Sequence, residues 1–119
     1  MKQFLPPTAL LFALVMGSGA DAHAFLLKSD PAVGATVTAP KTLRLQFSEA
    51  LELAFSGIDV ANGSGGAVPA QNVRLDNNDR KVLLVDLPPL SAGSYRVKWH
   101  VVSVDTHRTE GDFAFSVKP

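Results

Sequence analysis

The feature that most constrains this chain is a repeated two-residue alternation of apolar and polar side chains in its second half. Tyr95, Val97, Trp99 and Val101 alternate with Arg96, Lys98 and His100, and Phe113, Phe115 and Val117 alternate again near the C-terminus. A period of two places one set of side chains on each face of a pleated strand, so each of these segments is expected as a strand with one buried face. The same pattern holds for Leu43, Leu45 and Phe47 against Thr42, Arg44 and Gln46. "SGIDVANG" reads as a short strand entering the loop "NGSGG", and Val82 to Leu87 is an apolar run stopped by Pro88-Pro89. Weaker strands are expected at Phe25–Lys28 and Val73–Leu75. The segment Ser48–Phe55, "SEALELAF", is the one place where a single helical turn is expected. About seven short strands spaced by turn signals predict an all-β fold, a single immunoglobulin-like Greek-key β-sandwich.

The N-terminus reads differently. Lys2 supplies a positive start, Ala9 to Met16 is an unbroken apolar run, and Ala20-Asp21-Ala22 has the small-x-small pattern of a cleavage site. Residues 1–22 are therefore expected to be a cleaved signal peptide, and residues 23–119 the working domain. Removing 22 of the 119 residues leaves 97, enough for one domain with a modest core. The chain has 11 basic and 11 acidic residues, and cleavage removes one of each, Lys2 and Asp21. This balance offers no electrostatic attraction to nucleic acid or anionic lipid. There is no cysteine, which excludes disulfides, thiolate metal sites and cysteine nucleophiles. The two methionines, Met1 and Met16, both lie in the leader, so a mature domain has no thioether for cuprous copper.

Three histidines remain after cleavage: His23, His100 and His107. His100 sits in the alternating strand beside Arg96 and Lys98 and reads as a solvated or partly packed strand residue. His107 lies in the polar connection "SVDTHRTEG", two residues after Asp105. Alone, that pair reads equally as turn chemistry, with Asp105 bonding nearby backbone N–H groups. Cleavage after Ala22 changes the reading, because an N-terminal histidine offers both a free α-amine and an imidazole Nδ1 that close one chelate ring. With His107 and a carboxylate oxygen from Asp105, the donors become three nitrogens and one oxygen, a set suited to tetragonal Cu(II). In an immunoglobulin-like order the first strand is expected beside and parallel to the last, gathering His23, Ser48-Glu49, Asp105 and His107 at one pole.

Across "HAFLLKSDPAVGATV", "LRLQFSEALE" and "YRVKWHVVSVDTHRTEGDFAFSV" the sequence resembles the CopC family of periplasmic copper-binding proteins, over essentially the whole of residues 23–119. The resemblance implies a small β-sandwich binding one Cu(II) ion per chain through His23, Asp105 and His107. It places Glu49 beside the site, able to orient a ligand or accept a hydrogen bond from the amine. It also implies a periplasmic carrier or buffer in copper resistance or homeostasis, not an enzyme, with an inner-membrane copper transport protein of the CopD type as a partner. Without mature methionines, the chain resembles the Cu(II)-only members. Thr106 stands where many members carry glycine between the ligands, and threonine disfavours a left-handed backbone.

Two other functions fit parts of the sequence. A histidine brace also serves copper monooxygenases that cleave polysaccharides, but Tyr95 and Trp99 read as core residues, leaving no aromatic platform for a substrate. A metal-free immunoglobulin-like interaction module would leave His23 incidental.

Overall fold

The computed structural model describes residues 23–119; the expected signal peptide and its cleavage point at Ala22 lie outside the described residues. Among the described residues, nine strands form two sheets packed as a sandwich. They are β1 (Leu26–Asp30), β2 (Thr36–Val37), β3 (Thr42–Phe47), β4 (Gly57–Asn62), β5 (Ala67–Val68), β6 (Gln71–Asp76), β7 (Asp79–Asp86), β8 (Gly93–Val102) and β9 (Arg108–Val117). One sheet has the order β1-β3-β7-β6 and the other β2-β9-β8-β4-β5. The excess over seven comes from β2 and β5, two residues each, which are too short to carry an alternating pattern.

The alternating side chains fill the space between the sheets. Leu43, Leu45 and Phe47 of β3 meet Tyr95, Val97, Trp99 and Val101 of β8 and Phe113, Phe115 and Val117 of β9 in one buried cluster. The Phe47 and Trp99 rings meet edge to face with centroids 5.1 Å apart. The Tyr95 ring stacks on Phe115 at 5.6 Å, and its hydroxyl donates to the Ser91 carbonyl at 2.6 Å. Aromatic pairs in these geometries add to the gain from area burial. Opposite Trp99 in the β8–β9 register stands Gly111. A Cβ there would lie 2.6 Å from the indole, so the ring is seated directly on β9 backbone.

One expectation is corrected. The first strand does not run beside the last: β1 pairs antiparallel with β3, Leu26 opposite Phe47. The parallel neighbour of β9 is β2, with Thr36 opposite Ser116. The chain leaves the first sheet after Asp30 and joins the second at Thr36, a switch that strand periodicity does not encode. The single turn expected within Ser48–Phe55 is present at its end, as a 3-10 turn at Leu53–Phe55. The residues before it are held extended between the sheets. Leu51 N–H donates to Arg80 O at 3.0 Å, and Glu52 N–H to Val102 O at 2.8 Å. Leu51 itself is fully buried, so its contacts with both layers outweigh local helix propensity.

A histidine and aspartate cluster at one pole of the sandwich

The pole is built from three segments. Antiparallel pairing sets the start of β1 against the end of β3, and Ser48 N–H donates to Phe25 O at 2.9 Å. The β8–β9 register runs from Gly93 opposite Val117 to Val102 opposite Arg108, so residues 103–107 turn the hairpin at the same end. Segment 50–52 is laced to that turn by a bridge between Leu51 and Ser103 and by Val104 N–H donating to Ala50 O at 3.0 Å. The expected convergence therefore occurs, through β3 rather than through a parallel first strand.

Ser103 organises the turn. Its N–H donates to His107 O at 2.9 Å and its carbonyl accepts from Thr106 N–H at 2.8 Å. Its buried hydroxyl donates to Asp105 Oδ1. Thr106 has φ of 74°, the left-handed region. Threonine thus adopts the conformation that glycine takes freely, at a local cost on the order of 1–3 kcal/mol. The reversal leaves Asp105 and His107 together, with His107 Nδ1 3.3 Å from Asp105 Oδ1. The Ser103 hydroxyl, aided by His107, holds the exposed Asp105 carboxyl below its ordinary pKa despite the opposing effect of desolvation.

His23 reaches the same place from the other side. Its ring centroid lies 4.8 Å from that of His107, with the planes tilted by 60°. The backbone behind it is fastened: Ala24 is fully buried and its carbonyl accepts from Thr109 Oγ1 at 2.8 Å. Phe25 N–H donates to Ser48 Oγ at 2.8 Å, and Ser48 Oγ–H to His23 O at 3.4 Å. Glu49, half-buried, directly follows Ser48 and makes no side-chain hydrogen bond or ion pair among the described residues.

His23, Asp105 and His107 are thus brought together, while His100 is not. His100 lies on β8 opposite Gly57, with its ring against that glycine, where a Cβ would be 2.8 Å from Cε1. As placed, no group of three or more His, Cys, Asp or Glu side chains among the described residues is arranged to hold a metal ion. Ser103 and Thr109 were not singled out from sequence, and Ser48 was expected at this pole without a role; the signal available was a hydroxyl residue adjoining each candidate segment. Exposed Phe25, Phe55 and Val104 give this end apolar surface, and Phe55 and Thr106 line one shared cavity. No helix among the described residues is long and apolar enough to cross a membrane.

An all-β sandwich with two histidines and an aspartate gathered at one pole is the class that fold and site define together. Comparison with known proteins identifies it further: the CopC domain matches residues 26–118, and the chain belongs to that family. It is 39% identical to "Protein YobA" of Escherichia coli (strain K12) over 112 residues, 92% of this chain and 90% of that one. It is 38% identical to "Copper resistance protein C" of Xanthomonas campestris pv. juglandis over 115 residues, 92% and 91% of the respective chains. The crystal structure of PcoC, described as a methionine-rich copper resistance protein from Escherichia coli, superposes with a TM-score of 0.75. The identity there is 38%, covering 82% of this chain and all of PcoC. "Copper transport protein CutJ" of Bacillus subtilis (strain 168) is 30% identical over 110 residues, 91% of this chain but 20% of that protein.

Proposed function

We propose that this protein is a Cu(II)-binding carrier or buffer of the periplasm, serving copper resistance or homeostasis, with one ion per chain held by His23, Asp105 and His107. The observation that carries this reading is the approach of the His23 and His107 rings to 4.8 Å, with Asp105 bonded to His107. Residues separated by more than 80 positions have no local reason to meet there. Copper is the cargo. His23 would contribute its imidazole and, once the leader is removed, its α-amine, whose ordinary pKa of about 7.7–8.0 lets a divalent metal displace the proton near neutrality. His107 would give a third nitrogen and Asp105 a carboxylate oxygen. Three nitrogens and one anionic oxygen favour the oxidised metal.

The donors are hard or borderline throughout. PcoC is described as methionine-rich, whereas the methionines here are Met1 and Met16, outside the described domain. This supports a Cu(II)-only site. Glu49 is assigned beside the site, where its carboxylate would orient the amine, and such outer partners tune metal affinity.

For a recipient, the reading favours an inner-membrane copper transport protein of the CopD type. CutJ, named a copper transport protein, contains a segment like this chain within a much longer polypeptide. A covalent arrangement of that kind supports a carrier that works beside a transporter. The binding reading is preferred to the monooxygenase reading because Tyr95 and Trp99 are core residues and Asp105 would occupy a coordination position that oxygen needs.

Spin resonance of the Cu(II)-loaded, processed protein tests the ligand set. His107→Ala is expected to remove one nitrogen from the superhyperfine pattern and weaken binding at least tenfold, while His100→Ala leaves both as they are. A His107→Ala spectrum identical to wild type would rule that residue out.

A further inference from the structure

We propose that the Thr109 hydroxyl, assisted by Ser48, positions His23 for the metal by fastening the backbone just behind it. This inference rests on the copper site proposed above. His23 precedes β1, which starts at Leu26, so strand pairing does not hold it. One backbone bond, from Ser48 N–H to Phe25 O, reaches the arm, and side-chain chemistry adds the rest. Thr109 lies on β9 at the same alternation as Phe113 and Phe115, facing inward. A hydroxyl there needs a partner, and it finds one across 85 residues of sequence in the Ala24 carbonyl, at 2.8 Å. Ser48 Oγ takes the Phe25 N–H at 2.8 Å from the neighbouring sheet. The buried Ala24 is thereby tied to one sheet and Phe25 to the other. Both contacts lie on the C-terminal side of the expected cleavage point, so they survive removal of the leader.

The consequence is preorganisation. A free three-residue arm would lose its conformational entropy when copper binds; a fastened arm has lost most of it on folding, and the ligand no longer bears that cost. Thr109 is a positioning residue: it would touch no metal, and its effect would be on affinity and arm order, leaving the ligand identities as they are.

The test uses protein exported and processed from the full-length chain, with Cu(II) itself as the probe in competition titrations. Thr109→Val keeps the shape and removes the hydroxyl; it is expected to weaken Cu(II) binding about fivefold, the equivalent of one hydrogen bond. Thr109→Ser should recover affinity to within about twofold, because the same bond re-forms. Ser48→Ala should weaken binding by a comparable factor. At saturation the Thr109→Val nitrogen pattern should match wild type, and in the metal-free protein nuclear relaxation should show a more mobile Ala24 amide. Wild-type affinity in Thr109→Val, no recovery with Thr109→Ser, or an unaltered Ala24 amide would each overturn the inference. If wild-type protein itself fails to bind Cu(II), the proposed function fails and takes this inference with it. Binding by wild type that the hydroxyl variants leave unmoved defeats the inference alone.

Discussion

At the scale of the residue, Asp105 shows how the turn sets the charge of a candidate donor. The Ser103 hydroxyl and then His107 favour its ionised form, and both contacts fall on Oδ1. A carboxyl whose folded pKa lies below the unfolded value contributes stability above that value and loses it as pH falls through the depressed one. In metal-free protein the Asp105 carboxyl carbon is therefore expected to titrate below 3.8, and the midpoint should climb in Ser103→Ala. A wild-type midpoint at or above 3.8, read by carbon NMR, would contradict this account of the turn. The candidate residues themselves were legible: His23, Asp105 and His107 carry recognisable donor chemistry. The part played by Ser48, and Thr109 altogether, were not, because a hydroxyl becomes informative only once its distant partner is known. Thr106 shows a further limit. Sequence flags threonine as unfavourable in a left-handed turn, yet the bonds of Ser103 to Thr106 and His107 hold it there at φ 74°.

At the scale of the element, the β8–β9 hairpin contributes to both the core and the candidate site. Its ten-residue strands bury Trp99, Phe113 and Phe115 along their length and deliver the 103–107 turn at one end. Gly111 is the point where this register has no room, since a Cβ would meet the indole at 2.6 Å against fixed backbone. Gly111→Ala should destabilise the domain by about 1–3 kcal/mol, as overpacked cores do, and shift the fluorescence of Trp99, the single tryptophan. Unchanged stability and emission would mean that the indole is not seated as described. The long alternating strands were readable because their inward faces are continuous. The course of the chain between Asp30 and Thr36 was not, because changing sheets depends on loop geometry and leaves no periodic trace. The extended course of Ser48–Glu52 was missed for a related reason: its backbone partners, Arg80, Val102 and Ser103, are distant in sequence.

At the scale of the whole molecule, one pole collects what the rest of the sandwich keeps apart. The first sheet supplies the arm and Ser48, the second supplies Thr109 and the Asp105–His107 turn, and the Leu51 segment laces the two together. Folding and site assembly are in this sense one event, and an ion bound at the pole should stabilise the whole domain by mass action. The most direct measurement is a Cu(II) titration of protein whose first residue is His23 beside the same protein carrying one extra residue ahead of it. The account predicts tight one-to-one binding in the first, with three nitrogens in the spin-resonance pattern, and a loss of at least tenfold in affinity with one nitrogen fewer in the second. Equal affinity and an identical nitrogen pattern in the two proteins would contradict it.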